Sequence, residues 1–293
     1  MIEVKNLSKS FGANVVLRDL NLTVPDGSIF GLVGINGSGK STLLRMLAGV
    51  YRADRGSILI DGEEIYENEK KKRELFFLPD EPFYTSGMTG EKLAELYRTF
   101  YNFDNAVFAQ YTQLYKLDTR TPIRNFSKGM KRQMFVSLAF AVAPKYMFLD
   151  EVFDGLDPLA RLNFKRGLIE MSEKTGGTVV LSSHSLRELE DICDCYGLID
   201  GHSIADSGNL SSATENVYKF QLVFDRNVEK DDLGFETMSF ERSERVVRIV
   251  VQGDKEEFLN KIAELKPLLV DELPVDFEEL FVSRVGGGEA FKK

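Results

Sequence analysis

The sequence predicts an α/β fold: a mainly parallel sheet with helices on its faces, an antiparallel β subdomain at its start, an inserted helical lobe, and a small α+β domain at its end. Three observations carry that prediction. The first residues alternate apolar and polar positions, short apolar runs later alternate with helical patterns, and one long stretch between them is helical throughout.

Ile2 and Val4, Val15 and Leu17, then Leu20, Leu22 and Val24 alternate until Pro25-Asp26-Gly27 supplies turn chemistry, so antiparallel strands are expected there. "SIFGLVG" is a short apolar run entering a glycine-rich turn. "KSTLLRMLAGV" follows with Leu43, Leu44 and Leu47 on one helix face, making a strand, loop and helix. Asp61-Gly62 marks a further hairpin. The lobe spans about 85–143, with the helices "TGEKLAELYRTFY", "DNAVFAQYTQLYKL" and "KGMKRQMFVSLAFAVA", the last stopped by Pro144. The strand "YMFLD", a helix from Pro158 to about Lys174, the strand "TVVLSS" and a helix from Ser185 restore the alternating pattern. "DSGNLSSATEN" (206–216) reads as a linker. It separates a first domain, 1–208, from a small α+β domain, 217–285, with strands "VYKFQLVFD", "RVVRIVVQ" and "PLLV" and the helix "DKEEFLNKIAEL". The tail "GGGEAFKK" is expected to be disordered.

Lys+Arg 37 against Asp+Glu 46 gives the 293-residue chain a formal net charge of -9, which argues against a broad grip on nucleic acid; no such partner is expected. The two cysteines, Cys193 and Cys195, would diverge on a helix, so neither a disulfide nor a metal site is expected, and a reducing compartment fits. "MIEVKNLSKSF" puts charges where a leader peptide needs an apolar core. The run Met134 to Ala143 falls short of the about 18 residues needed to span a bilayer. The expectation is a chain neither secreted nor membrane-spanning by itself.

"GINGSGKS", Gly34 to Ser41, fits G-x-x-x-x-G-K-[ST] between an expected strand and an expected helix, the context in which this pattern cradles phosphates. Backbone N–H groups of Gly37 to Ser41 point inward, Lys40 reaches the β- and γ-phosphates, and Ser41 can ligate Mg2+. The chain is therefore expected to bind a nucleoside triphosphate through Gly34, Asn36, Gly37, Ser38, Gly39, Lys40, Ser41 and Thr42. Asp150 and Glu151 end the strand "YMFLD", where ligands of open α/β sheets collect; Asp150 can hold Mg2+ and Glu151 can take a proton from attacking water. His184 ends the next strand at the same sheet edge, near the γ-phosphate, whereas His202 in "DGHS" reads as an exposed turn residue. A second phosphate grip, "NFSKGMKRQ" (125–133), has a serine and a glycine at a helix start but no catalytic group; taken alone, Ser127 would be an ordinary N-cap.

The phosphate loop, helical lobe, serine-glycine helix start, "FLDE", "GLDP" and histidine, in this order over residues 1 to about 208, resemble the nucleotide-binding subunit of an ABC transporter. The resemblance implies a Mg2+-dependent ATPase with Lys40, Glu151 and His184 in catalytic roles, Phe11 where an aromatic ring stacks on adenine, and Gly155 to Pro158 in a loop facing a dimer partner. By residue type alone Phe11 is equally a core residue. It further implies a head-to-tail dimer, homodimeric or closely related heterodimeric, in which Ser127 and Gly129 contact ATP held by the partner. Transport would pass through a transmembrane permease subunit in a separate chain, met near Phe76 to Met88. The cassette would then be cytoplasmic, peripheral on the inner face of the membrane. An alternative is an ABC-type ATPase not coupled to transport; a kinase-like enzyme would leave the signature segment and His184 without roles.

Three departures stand out. "FSKGM" replaces the commonest form LSGGQ, putting Lys128 and Met130 in place of a glycine and a glutamine. Asp80 in "FFLPDEP" stands where glutamine is usual, expected to face Mg2+ or the water. The C-terminal extension lies outside the family's common motifs.

Overall fold

Ile2–Phe11 (β1) and Asn14–Val24 (β2) turn alternate side chains inward, and they pair antiparallel with Ile2 opposite Val24 and Val4 opposite Leu22. This computed structural model describes residues 1–213 and 215–275. Arg55–Ile60 (β4) adds to the other side of β1, and Asp61 and Gly62, both at positive φ, turn it back into the short strand Glu63–Glu64 (β5). The first sheet thus runs β2-β1-β4-β5.

Ile29–Val33 (β3) is buried at every position, as a strand covered on both faces must be. Lys40–Leu47 (α1) follows it, and Glu69–Lys72 (α2) precedes Leu75–Leu78 (β6). The helical lobe comprises Gly90–Phe100 (α3), Asn105–Leu114 (α4) and Lys128–Val142 (α5), capped at their starts by Thr89, Asp104 and Ser127. Ala143, in the left-handed region, closes α5 one residue before Pro144.

Tyr146–Leu149 (β7), Pro158–Thr175 (α6), Thr178–Ser183 (β8), Leu186–Glu190 (α7) and Cys195–Asp200 (β9) complete the alternation, and Ser203–Asn209 (β10) forms the edge. The second sheet runs β10-β9-β3-β8-β7-β6, parallel wherever β3, β6, β7, β8 and β9 pair. No described helix is long and apolar enough to cross a membrane.

Two expectations change. Cys193 lies in the turn after α7 and Cys195 opens β9, so they do not share a helix; both are buried, and burial pushes the Cys193 thiol up. The expected linker at 206–216 is largely ordered: β10 runs to Asn209 because β9 gives it a pairing edge, and Leu210–Ala213 (α8) makes a helical turn. His202 is an exposed turn residue, as expected; its carbonyl accepts from Arg18 N–H at 2.8 Å and its Nδ1 stands 3.2 Å from the Val16 carbonyl.

The chain divides into two compact units, Met1–Gly208 and the residues from Asn209 onward. In the second, Val217–Val223 (β11), Ser239–Ser243 (β12), Val246–Gln252 (β13) and Leu269–Leu273 (β14) form a sheet ordered β12-β13-β11-β14. Lys255–Glu264 (α9) accompanies it, and Phe220, Leu222, Val247, Ile249 and Ile262 share its core. The expected domain end at 285 and the glycine-rich tail lie outside the described residues.

Candidate functional site

The loops leaving β3, β6, β7 and β8 enclose a cavity of about 500 Å3 whose wall includes Gly37, Lys40, Ser41, Asp80, Glu151, Asp154 and His184. Its floor is set by backbone geometry. Gly39 turns the chain at φ +104°, a conformation costly for a residue with a side chain, and a Cβ there would also stand 2.8 Å from Leu17 Cδ2. That turn delivers Lys40, 4% exposed, as the first residue of α1. Its ammonium donates to the carbonyls of Gly34 at 2.6 Å and Ile35 at 3.2 Å, and stands 3.4 Å from Glu151 Oε1.

Asp150 follows β7 and is fully buried. Its Oδ1 accepts hydrogen bonds from Ser41 Oγ at 3.0 Å and Ser182 Oγ at 2.8 Å, while Ser182 Oγ accepts from the Glu151 N–H at 2.9 Å. Among the described residues Asp150 Oδ2 is buried without a hydrogen-bond partner, an arrangement that ordinarily carries a penalty unless a ligand takes the oxygen. Hard oxygen donors from Ser41 and Asp150, one of them orphaned, suit Mg2+. Glu151 adopts φ +45°, uncommon outside glycine and the sort of strain that gathers at functional sites. Its Oε2 lies 3.0 Å from His184 Nδ1, and ligand atoms of Glu151, Asp154 and His184 lie within 4.8 Å of one another.

Asp80, on the loop after β6, is also in the cavity wall, but its Oδ1 accepts from Arg132 of α5 at 2.7 Å. Phe11 is exposed at the end of β1, edge-on to Tyr51, and does not line the cavity. The helix start at α5 is apart from it too. Ser127 Oγ caps the helix by accepting from Met130 N–H at 3.2 Å, and Gly129 packs so closely that a Cβ would stand 2.4 Å from the Gly155 carbonyl oxygen. Lys128 reaches over that contact to Asp154, 3.6 Å away.

Ser182, Asp154 and Arg132 are not marked as site residues by sequence pattern alone. Ser182 had a usable signal, one of two serines that follow the apolar run of β8. Asp154 was hidden among neighbouring acids and Arg132 among neighbouring cations.

A family profile described as "ABC transporter" matches residues 17–154. The chain is 32% identical over 289 residues to the ABC transporter ATP-binding protein YtrB of Bacillus subtilis (strain 168), an alignment covering 98% of this chain and 99% of that one, so it extends through the C-terminal unit. A solved structure of an ATP-binding subunit of an ABC transporter superposes with a TM-score of 0.67 at 29% identity, covering 73% of this chain and 92% of the other. A dimeric ATP-binding cassette in a post-hydrolysis state, bound to ADP and Pi, superposes with a TM-score of 0.64 at 18% identity over 72% of this chain and 99% of that one, a likeness of fold.

Proposed function

This chain belongs to the ABC transporter ATP-binding protein family, and on that footing we propose that it closes head to tail with a second cassette over two ATP molecules to power a separate membrane-spanning chain. The second cassette is another copy or a close relative. The observation that carries the reading is the convergence of Lys40, Ser41, Glu151 and His184 on one cavity, with Asp150 hydrogen-bonded to Ser41 behind it and its other, buried carboxylate oxygen unpartnered among the described residues.

In this reading the backbone N–H groups of Asn36 to Thr42 hold the phosphates, with Gly34 shaping the turn and Ser38 inside it. Lys40 exchanges its carbonyl partners for β- and γ-phosphate oxygens, and Phe11, already exposed, stacks on adenine. Ser41 and Asp150 hold Mg2+, with Asp80 facing it from the cavity wall. Bound there, Mg2+ offsets the charge of the transferring phosphoryl group. Glu151 accepts a proton from the attacking water, and His184 holds Glu151 on one side and the γ-phosphate on the other. Ser127 and Gly129, which do not line their own cavity, meet the γ-phosphate held by the partner. The Ser127 oxygen is occupied as a cap acceptor, which leaves its O–H free to donate.

An apolar groove supports a membrane partner beside the loop 79–88. It has a volume of about 490 Å3 and is walled by Phe83, Leu93, Leu96, Tyr97 and Phe100, with Phe83 89% exposed. A helix of the permease that fills it would place this chain on the cytoplasmic face of the membrane.

Composite sites are tested by mixing Ser127→Arg chains with Lys40→Ala chains. One mixed site then pairs an intact phosphate loop with an intact signature, so ATP-driven dimers and turnover should exceed those of either variant alone. Independent behaviour of the two variants, scored for dimers in the Glu151→Gln background, refutes the reading.

A further inference from the structure

We propose that Arg132 is a positioning residue that makes the start of α5 follow the chain's own nucleotide cavity. The inference rests on the composite-site reading above. Arg132 lies five residues beyond Ser127 on α5, about 7 Å along the axis. Its guanidinium is 2% exposed and donates three hydrogen bonds into the loop after β6: to the carbonyls of Pro79 at 3.1 Å and Asp80 at 2.8 Å, and to Asp80 Oδ1 at 2.7 Å.

The two partners differ in environment. Arg132 is sealed in the protein, while Asp80 is 41% exposed on the cavity wall. A buried guanidinium deprived of its carboxylate is costly, so a displacement of Asp80 draws Arg132 with it. Arg132 is fixed to a helix, whose first turn presents Ser127 and Gly129. A polyanion entering beside Asp80 without a divalent cation repels that carboxylate, and through Arg132 the push passes to the helix whose start meets the other cassette in the composite-site reading.

A second grip on the same turn comes from the far side of the cavity. Asp154 lines it and pairs with Lys128 at 3.6 Å, and the adjoining Gly155 carbonyl abuts Gly129. Two acids that face the nucleotide are therefore each held by a cation of the helix that faces the partner. Glutamine at position 80 would keep a hydrogen bond to Arg132 but lose the charge, so this link belongs to the Asp80 and Arg132 combination.

The test uses the full chain carrying Glu151→Gln, with ATP affinity of the separated protomer measured by calorimetry without divalent cations and ATP-driven association by sedimentation. Arg132→Lys keeps the charge but cannot reach two carbonyls and a carboxylate from one ammonium. Association should weaken about tenfold while ATP affinity stays within about twofold. Asp80→Asn removes a negative charge from the wall, so association should weaken with ATP affinity equal or tighter; this variant decides the matter if circular dichroism shows Arg132→Lys misfolded. Arg132→Lys added to Asp80→Asn should weaken association less than it does alone. Unchanged association, or parallel losses of association and affinity, overturns the role of Arg132. Failure of the Glu151→Gln chain itself to associate with ATP overturns the composite-site reading instead.

Discussion

Oε2 of Glu151 stands 3.0 Å from Nδ1 of His184, while the other carboxylate oxygen is 3.4 Å from the Lys40 ammonium. The proposed base is thus fixed at both oxygens by groups that also face the phosphate position. Glu151→Gln keeps the shape and removes the basicity, so ATP turnover should fall about 10² to 10⁴-fold while ATP binding persists. Phosphate release and calorimetry on the same preparation check this, and wild-type turnover refutes the assignment.

Lys40→Ala removes the cation that the turn around Gly39 delivers to the cavity floor. ATP affinity should drop by about tenfold or more, the scale of a lost charge-assisted hydrogen bond to phosphate. Unaltered affinity in a titration calorimeter contradicts the phosphate-loop assignment.

Gly129→Ala puts a methyl group 2.4 Å from the Gly155 carbonyl oxygen, a backbone atom that no rotamer change can move aside. Separating the two segments should cost about 1–3 kcal/mol of stability, typical of overpacking. Denaturant unfolding measures it; an unchanged midpoint would show that the loop yields freely.

Asp61, in the turn between β4 and β5, predicts an acid-sensitive fold. Partial burial alone would raise its carboxyl pKa, but hydrogen bonds from Lys145 at 2.7 Å, Tyr146 at 2.6 Å and Lys71 at 2.9 Å hold it well below the usual carboxylate range. A folded-state pKa below the unfolded value of about 3.9 gives stability that is complete above that value and lost as the pH falls below it. The wild-type Tm should therefore drop more steeply than that of Asp61→Asn as the pH falls below about 4. Parallel curves would show that Asp61 does not contribute.

Sequence pattern revealed what depends on neighbours along the chain: the buried run of β3, the turn at Asp61-Gly62, the serine that caps α5, and the acids that follow β7. It could not reveal pairings between distant segments. Arg132 looked like one cation among several in "KGMKRQ", and its fork on Asp80 exists only because α5 crosses behind the loop after β6. The cysteines read as helical in the sequence because α7 stops early, at Glu190, and β9 begins at Cys195 without a strong breaker between them. Strand β12 escaped notice since "SFERS" is mostly polar and gains its regularity from pairing with β13.

The place of β3 in the second sheet bears on how the protein comes into being. Its two neighbours are β8 and β9, so the strand that carries the phosphate loop is flanked only by segments made about 150 residues later. While the ribosome is still adding the helical lobe, the nascent chain holds a five-residue apolar strand with both edges open. The second sheet is therefore completed late in synthesis, and until β8 and β9 are made β3 offers open edges of the kind that invite aggregation.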